Sequence, residues 1–132
     1  MDKVALVELL RSRLDGVLAV YAFGSRIQGT ADERSDLDLA VLVQGYADPL
    51  TLWQLAGEAA DIAGCPVDLL DLRRASTVMQ QQVLTKGERW WVVEGVEAGL
   101  FECAVLSEKL ELDRARAPLL RDIERDGRVY GR

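Results

Sequence analysis

Histidine is absent from all 132 residues. That absence excludes a Ser-His-Asp triad, a histidine general base and an HExxH zinc site. Any catalysis must run on carboxylates, hydroxyls, backbone amides or a metal bound by oxygen. Basic residues are also in deficit: 16 Lys plus Arg stand against 22 Asp plus Glu, a net charge of −6. Direct nucleic-acid binding relies on a basic footprint and is not expected. The only cysteines, Cys65 and Cys103, form no CxxC pair. Two thiols without a histidine cannot build a structural zinc site, and they read as reduced, mostly buried thiols of a cytoplasmic protein. Met1-Asp2-Lys3-Val4 carries charge and lacks the apolar run of a signal peptide. The longest apolar runs are about seven residues, against the roughly 18 that suggest a membrane span. No membrane association is expected.

What is present is a regular alternation of helical and strand patterns. Val4, Leu6, Val7, Leu10 and Leu14 follow helical spacing over 3–14, and Asp15-Gly16 ends that helix. Val17 to Phe23 is apolar on both faces, as a buried strand is. Gly24-Ser25 and a polar, turn-prone stretch over 26–35 with a short helix lead to a second strand over 36–43. Asp48 before Pro49 predicts a capped helix running to about Ala63 and stopping at Gly64. Residues 66–71 read as a third strand. Thr77 with Gln80 fits a capping box for a helix over 78–85, and residues 90–93 read as a fourth strand. From Glu97 onward the pattern is helical, with Pro118 expected to kink or split the helix. The order predicts an α/β or α+β domain with a mixed sheet spanning 1–132, with a core over about 1–95 and a C-terminal helical region over about 96–127.

The chemistry concentrates on the second strand. Residues two apart in a strand share a face, their Cα atoms about 6.6 Å apart. Asp36 and Asp38 therefore project side by side, while Leu37, Leu39, Val41 and Val43 face the core. Two adjacent carboxylates repel each other and resist burial, and a hard divalent cation such as Mg²⁺ relieves both costs. Upstream, Gly24 permits a tight turn, and Ser25 adds a hydroxyl beside backbone N–H groups near a helix N-terminus, which favours phosphate. Either feature alone is common; together, between two buried strands, they describe a nucleoside triphosphate site.

Gly24-Ser25, ten intervening residues and Asp36-Leu37-Asp38 resemble the GSx10DxD signature of minimal nucleotidyltransferases of the DNA polymerase β-like superfamily. Val20-Tyr21-Ala22-Phe23 ahead and Leu39-Ala40-Val41-Leu42-Val43 behind are similar to the family's flanking strands. Asp68 within Val67-Asp68-Leu69 matches its third carboxylate. The likeness covers nearly the whole chain and implies the polymerase β-like fold, a small mixed sheet flanked by helices, with a long C-terminal helical region. Stand-alone domains of this kind are typically antitoxins of HEPN/MNT toxin–antitoxin pairs, transferring AMP from ATP to a tyrosine of the HEPN ribonuclease toxin.

The resemblance implies that Asp36 and Asp38 bridge two Mg²⁺ ions, which in such sites lie about 3.5–4 Å apart. It implies that Asp68 binds the ion activating the acceptor hydroxyl or takes its proton, and that Gly24 and Ser25 hold the β- and γ-phosphates. Arg26 and Arg34 flank the phosphate turn and are candidates for neutralising triphosphate charge. The expected partners are ATP and the HEPN toxin, the latter as a hetero-oligomer. Two alternatives stand beside this reading: transfer to a small molecule of the aminoglycoside type, or a non-catalytic antitoxin that covers its toxin. Asp71, three residues past Asp68, is aimed at the opposite face and reads as structural. Tyr21 and Phe23 read as core, as do Tyr46 and Trp53 near the cleft. Strand alternation expects one of Trp90 and Trp91 to be exposed, and the Arg121, Arg125, Arg128, Arg132 series to be a solvated helix face.

Overall fold

A computed structural model describes residues 2–24 and 36–125, with side chains described as far as residue 111. Helix α1 (Lys3–Arg13) is capped by Asp2, whose carboxylate accepts from the Ala5 N–H at 3.0 Å, and it buries Leu6, Val7 and Leu10. Strands β1 (Val17–Phe23) and β2 (Leu37–Val43) follow as an antiparallel pair. Helix α2 (Pro49–Ala63) opens on the Asp48 cap with Pro49 in its first turn. It closes on Gly64 at φ 74°, the left-handed geometry that glycine adopts without a Cβ penalty. Strand β3 (Val67–Asp71), helix α3 (Thr77–Lys86), strand β4 (Glu88–Val92) and helix α4 (Glu97–Arg125) complete the order.

The sheet runs β3-β2-β1-β4, mixed because β2 and β3 are parallel while β1 is antiparallel to both of its neighbours. A parallel pair needs a crossover, and α2 supplies it between β2 and β3. Alternation along the strands builds two apolar layers. Val20, Ala22, Leu37, Leu39, Val41 and Val43 pack with α1 and α2, through Leu6, Leu10, Leu52 and Leu55 among others. Ala19, Tyr21, Ala40 and Leu42 face the other way, onto Val83 of α3 and Ala98 of α4. Each fully buried leucine contributes about 1.5–3 kcal/mol relative to exposure, so these two faces hold the sheet's centre in place.

The tertiary structure departs from the sequence reading at several points. Val20 pairs with Trp91 but Tyr21 pairs with Arg89, so Trp90 is an extra residue in β4. This β-bulge brings both indoles onto the α1-side layer, and neither is fully exposed as alternation had suggested. Cations from α1 cover them: the Arg11 guanidinium lies 4.2 Å from the Trp91 ring centroid and the Lys3 ammonium 5.4 Å from that of Trp90. Ser76, not Thr77, caps α3 by accepting from the Met79 N–H, while the Gln80 amide donates to the Leu72 carbonyl. Helix α4 continues through Pro118 without being split. Tyr46 and Trp53 are exposed rather than core, at 64% and 75%. Cys65 is half-buried, whereas Cys103 is exposed. No helix among the described residues is long and apolar enough to cross a membrane.

Candidate active site

Strand register assembles the site. Asp38 and Asp68 each occupy the second position of a strand and are paired partners across the parallel β2–β3 ladder. Adjacent strands lie about 4.8 Å apart, so residues in register project side by side. Their apolar neighbours, Leu37 with Val67 and Leu39 with Leu69, point to the α1/α2 layer. The carboxylates therefore take the opposite face, at the end of the sheet beyond Ala40 and Leu70. Asp36 lies just before β2 and is exposed, as is Asp68, while Asp38 is half-buried.

This crowding has an electrostatic signature. The Asp38 carboxyl is pushed above the ordinary carboxylate range, first by burial and then by the negative charges of Asp68 and Asp36. Gly24 meets the same carboxyl from the other side. Its φ is +83°, and a Cβ built there would run into the Asp38 carboxylate, with the Asp38 Cγ only 3.1 Å away. Phe23, immediately before it, is the β1 partner of Asp38. From β1 to β3 the order across the sheet is thus Gly24, Asp38, Asp68. Ser25, Arg26 and Arg34 lie outside the described residues, as does the short helix expected after Gly24.

The donor chemistry suits a hard cation, since the side chains that converge here among the described residues, Asp38, Asp68 and Asp36, are all carboxylates. Among the described residues no three acidic side chains gather at metal-liganding range. Magnesium at nucleotide sites needs no such cage, taking one or two carboxylates with waters and phosphate oxygens completing its shell. The Asp38–Asp68 pair fits that pattern, because a cation there would offset both the burial of the Asp38 charge and the repulsion from Asp68 that adds to it.

Asp71 is a different kind of carboxylate. It is 3% exposed, accepts from the Ala47 N–H at 2.9 Å and the Arg73 N–H at 3.1 Å, and lies 3.5 Å from the Arg74 guanidinium. Its role is to tie the loop after β2 to the end of β3, as its position opposite Asp68 suggested. Asp71→Ala is expected to cost about 1–3 kcal/mol in a urea titration by leaving buried N–H groups unpaired. An unchanged midpoint would contradict that role.

One polar cluster on this face had no sequence signature. The buried Tyr21 hydroxyl donates to the Glu102 carboxylate at 3.2 Å, and Arg89 donates to both Glu102 oxygens at 2.8 and 3.0 Å. Burial and the Glu102 charge push the Tyr21 phenol well above its usual range, so it stays protonated. With Val83, Leu84 and Gly87 these residues line a cavity of about 260 Å³. Tyr21 and Glu102 are 81 positions apart, beyond the reach of any local pattern.

Known proteins resemble this chain over most of its length. Residues 5–91 match the family model described as "Polymerase beta, Nucleotidyltransferase". The protein adenylyltransferase MntA of Shewanella oneidensis is 36% identical over 123 residues, covering 93% of this chain and 88% of the relative. Among solved structures, a chain of a toxin–antitoxin crystal structure with AMP-PNP superposes with a TM-score of 0.77 at 35% identity, covering 94% of this chain and 99% of that one. A chain from the complex of tri-AMPylated Shewanella oneidensis HEPN toxin with MNT antitoxin gives a TM-score of 0.70 at 32% identity, covering 92% and 95%.

Proposed function

The chain belongs to the polymerase beta nucleotidyltransferase family, and on that premise we propose that it transfers AMP from ATP to a tyrosine of a cognate HEPN ribonuclease toxin, acting in the cytoplasm as the antitoxin of the pair. The observation that carries this reading is the in-register pairing of Asp38 with Asp68, with Asp36 adjacent and Gly24 closed against Asp38. The relatives that are protein adenylyltransferases, or that are found with HEPN toxin, supply the acceptor class.

In this reaction the tyrosine oxygen forms a bond to the α-phosphorus of ATP. The bond from that phosphorus to the bridging oxygen breaks, and diphosphate leaves with the electron pair. Asp36, Asp38 and Asp68 would hold Mg²⁺, two ions in the full reading, and the metal when bound supplies charge stabilisation for the entering and leaving oxygens. The Gly24 turn and Ser25 receive the β- and γ-phosphates, with Arg26 and Arg34 balancing their charge. Asp68, exposed at the start of β3, would hold the ion that activates the phenol or take its proton; a free phenol has a pKa near 10, so a carboxylate or a cation nearby must assist its loss. The catalytic residues all fall within the proposed core over 1–95, and the helical region over 96–127 completes the same domain.

The test is incubation with α-labelled ATP, Mg²⁺ and a purified HEPN ribonuclease toxin as the cognate partner. Label is expected on the partner, lost on chelation and restored by added Mg²⁺. Neutralisation of the partner without label would overturn the reading in favour of simple covering. Label carried only by an added small acceptor would overturn it in favour of a small-molecule transferase.

A further inference from the structure

A groove of about 440 Å³ lies between α2 and the edge strand β3 and takes in Asp68 of the candidate active site. It is lined by Trp53, Ala56, Gly57 and Ala60 of α2 and by Val67 and Asp68 of β3. Trp53 is 75% exposed. Ala60 lies two helical turns further on, near the Gly64 turn into β3. A large aromatic left in water beside small side chains is the composition of a surface that a partner covers. Among the described residues, β3 is also the edge of the sheet, its outer backbone groups unpaired by any strand.

Resting on the AMP-transfer reading above, we propose that this groove seats the polypeptide segment that carries the acceptor tyrosine. The argument is one of sides. The phosphate-holding turn at Gly24 flanks Asp38 from β1, and Asp68 flanks it from β3. In-line displacement puts the attacking oxygen and the leaving diphosphate on opposite sides of the phosphorus. With diphosphate toward β1, the acceptor arrives from the β3 side, where Asp68 is shared between the carboxylate cluster and the groove. The small residues admit a close main-chain approach, and Trp53 anchors an apolar side chain of the arriving segment.

Two full-length variants test this. Trp53→Ala removes the anchor, and Gly57→Leu fills the groove. A Cβ at Gly57 meets no heavy atom within 4 Å, and leucine favours a helix more than glycine does, so the second variant keeps its fold. For both, KM for the HEPN partner in labelled AMP transfer is expected to rise at least about 10-fold, as for a central interface tryptophan. Affinity for a non-hydrolysable ATP analogue should stay within about 2-fold of the parent, since neither residue belongs to the nucleotide side. Unchanged KM in both variants, in a preparation where Asp38→Asn abolishes transfer, would overturn the groove while leaving the transferase reading standing. Equal loss of ATP-analogue affinity and transfer would also overturn it, assigning the groove to the nucleotide. No transfer by the parent chain would overturn the transferase reading itself, and this assignment with it.

Discussion

Asp38→Asn is expected to lower AMP transfer by roughly 10²–10⁴-fold, as losing several kcal/mol of the proposed metal's charge stabilisation would, while making the metal-free protein more stable. The two effects share one cause. Asp38 is drawn partly out of water and set beside Asp68 and Asp36, which holds its carboxyl above the ordinary value of 3.8. A carboxyl harder to ionise in the folded chain than in the unfolded one weakens the fold once it is charged. Well below the ordinary value both states are protonated and nothing is lost. As pH rises from there, the unfolded chain ionises first and stability falls, until the folded carboxyl has ionised too. At neutral pH the penalty is fully present, and asparagine removes it without changing shape. Melting curves without metal should therefore coincide at low pH and separate with the variant above the parent as pH rises. Mg²⁺ should then raise the parent's Tm and leave that of the variant nearly unmoved. A variant less stable than the parent at pH 7 would sink the account.

Gly24→Ala is expected to damage both fold and activity through a single methyl group. The backbone there has φ +83°, a conformation that costs a non-glycine residue about 1–3 kcal/mol. The new Cβ also occupies the space of the Asp38 carboxylate, which must rotate away from the position it shares with Asp68. Transfer should fall by at least about 10-fold, with a KM for ATP that rises as the turn proposed to hold the phosphates is displaced. The two costs are separable in a double-mutant cycle. In an Asp38→Ala background the collision has no partner, so Gly24→Ala should cost only its backbone strain. Equal destabilisation in both backgrounds would show that the close approach to Asp38 carries no energy.

The amino-acid pattern made much of this architecture readable. Leu37 and Leu39 in the core and Asp38 on the other face follow from the twofold repeat of one strand. The Asp48 cap, the Pro49 start and the Gly64 stop are equally local, and the structure has all three. The Gly24-Ser25 and Asp36-Leu37-Asp38 spacing pointed to the family now shown by the comparisons. Other particulars departed from the local pattern. Ser76 rather than Thr77 caps α3, and the Gln80 amide turns to the Leu72 carbonyl, 8 positions back, instead of closing a capping box. Tyr46 lies on the surface, where the Arg74 guanidinium sits over its ring at 4.6 Å from the centroid.

By itself, then, the sequence determined the elements, their inward faces, and a chemistry restricted to oxygen ligands by the absence of histidine. Those properties are written in nearest neighbours, at spacings of two and of three to four residues. Only the tertiary structure decided which carboxylate stands beside which. The Asp38–Asp68 pairing depends on the register of a parallel ladder closed by α2. The bulge at Trp90 depends on β1, and the exposure of Trp53 on how α2 lies against β3. Such arrangements answer to packing between segments distant in the chain, for which a single strand or helix carries no local signal.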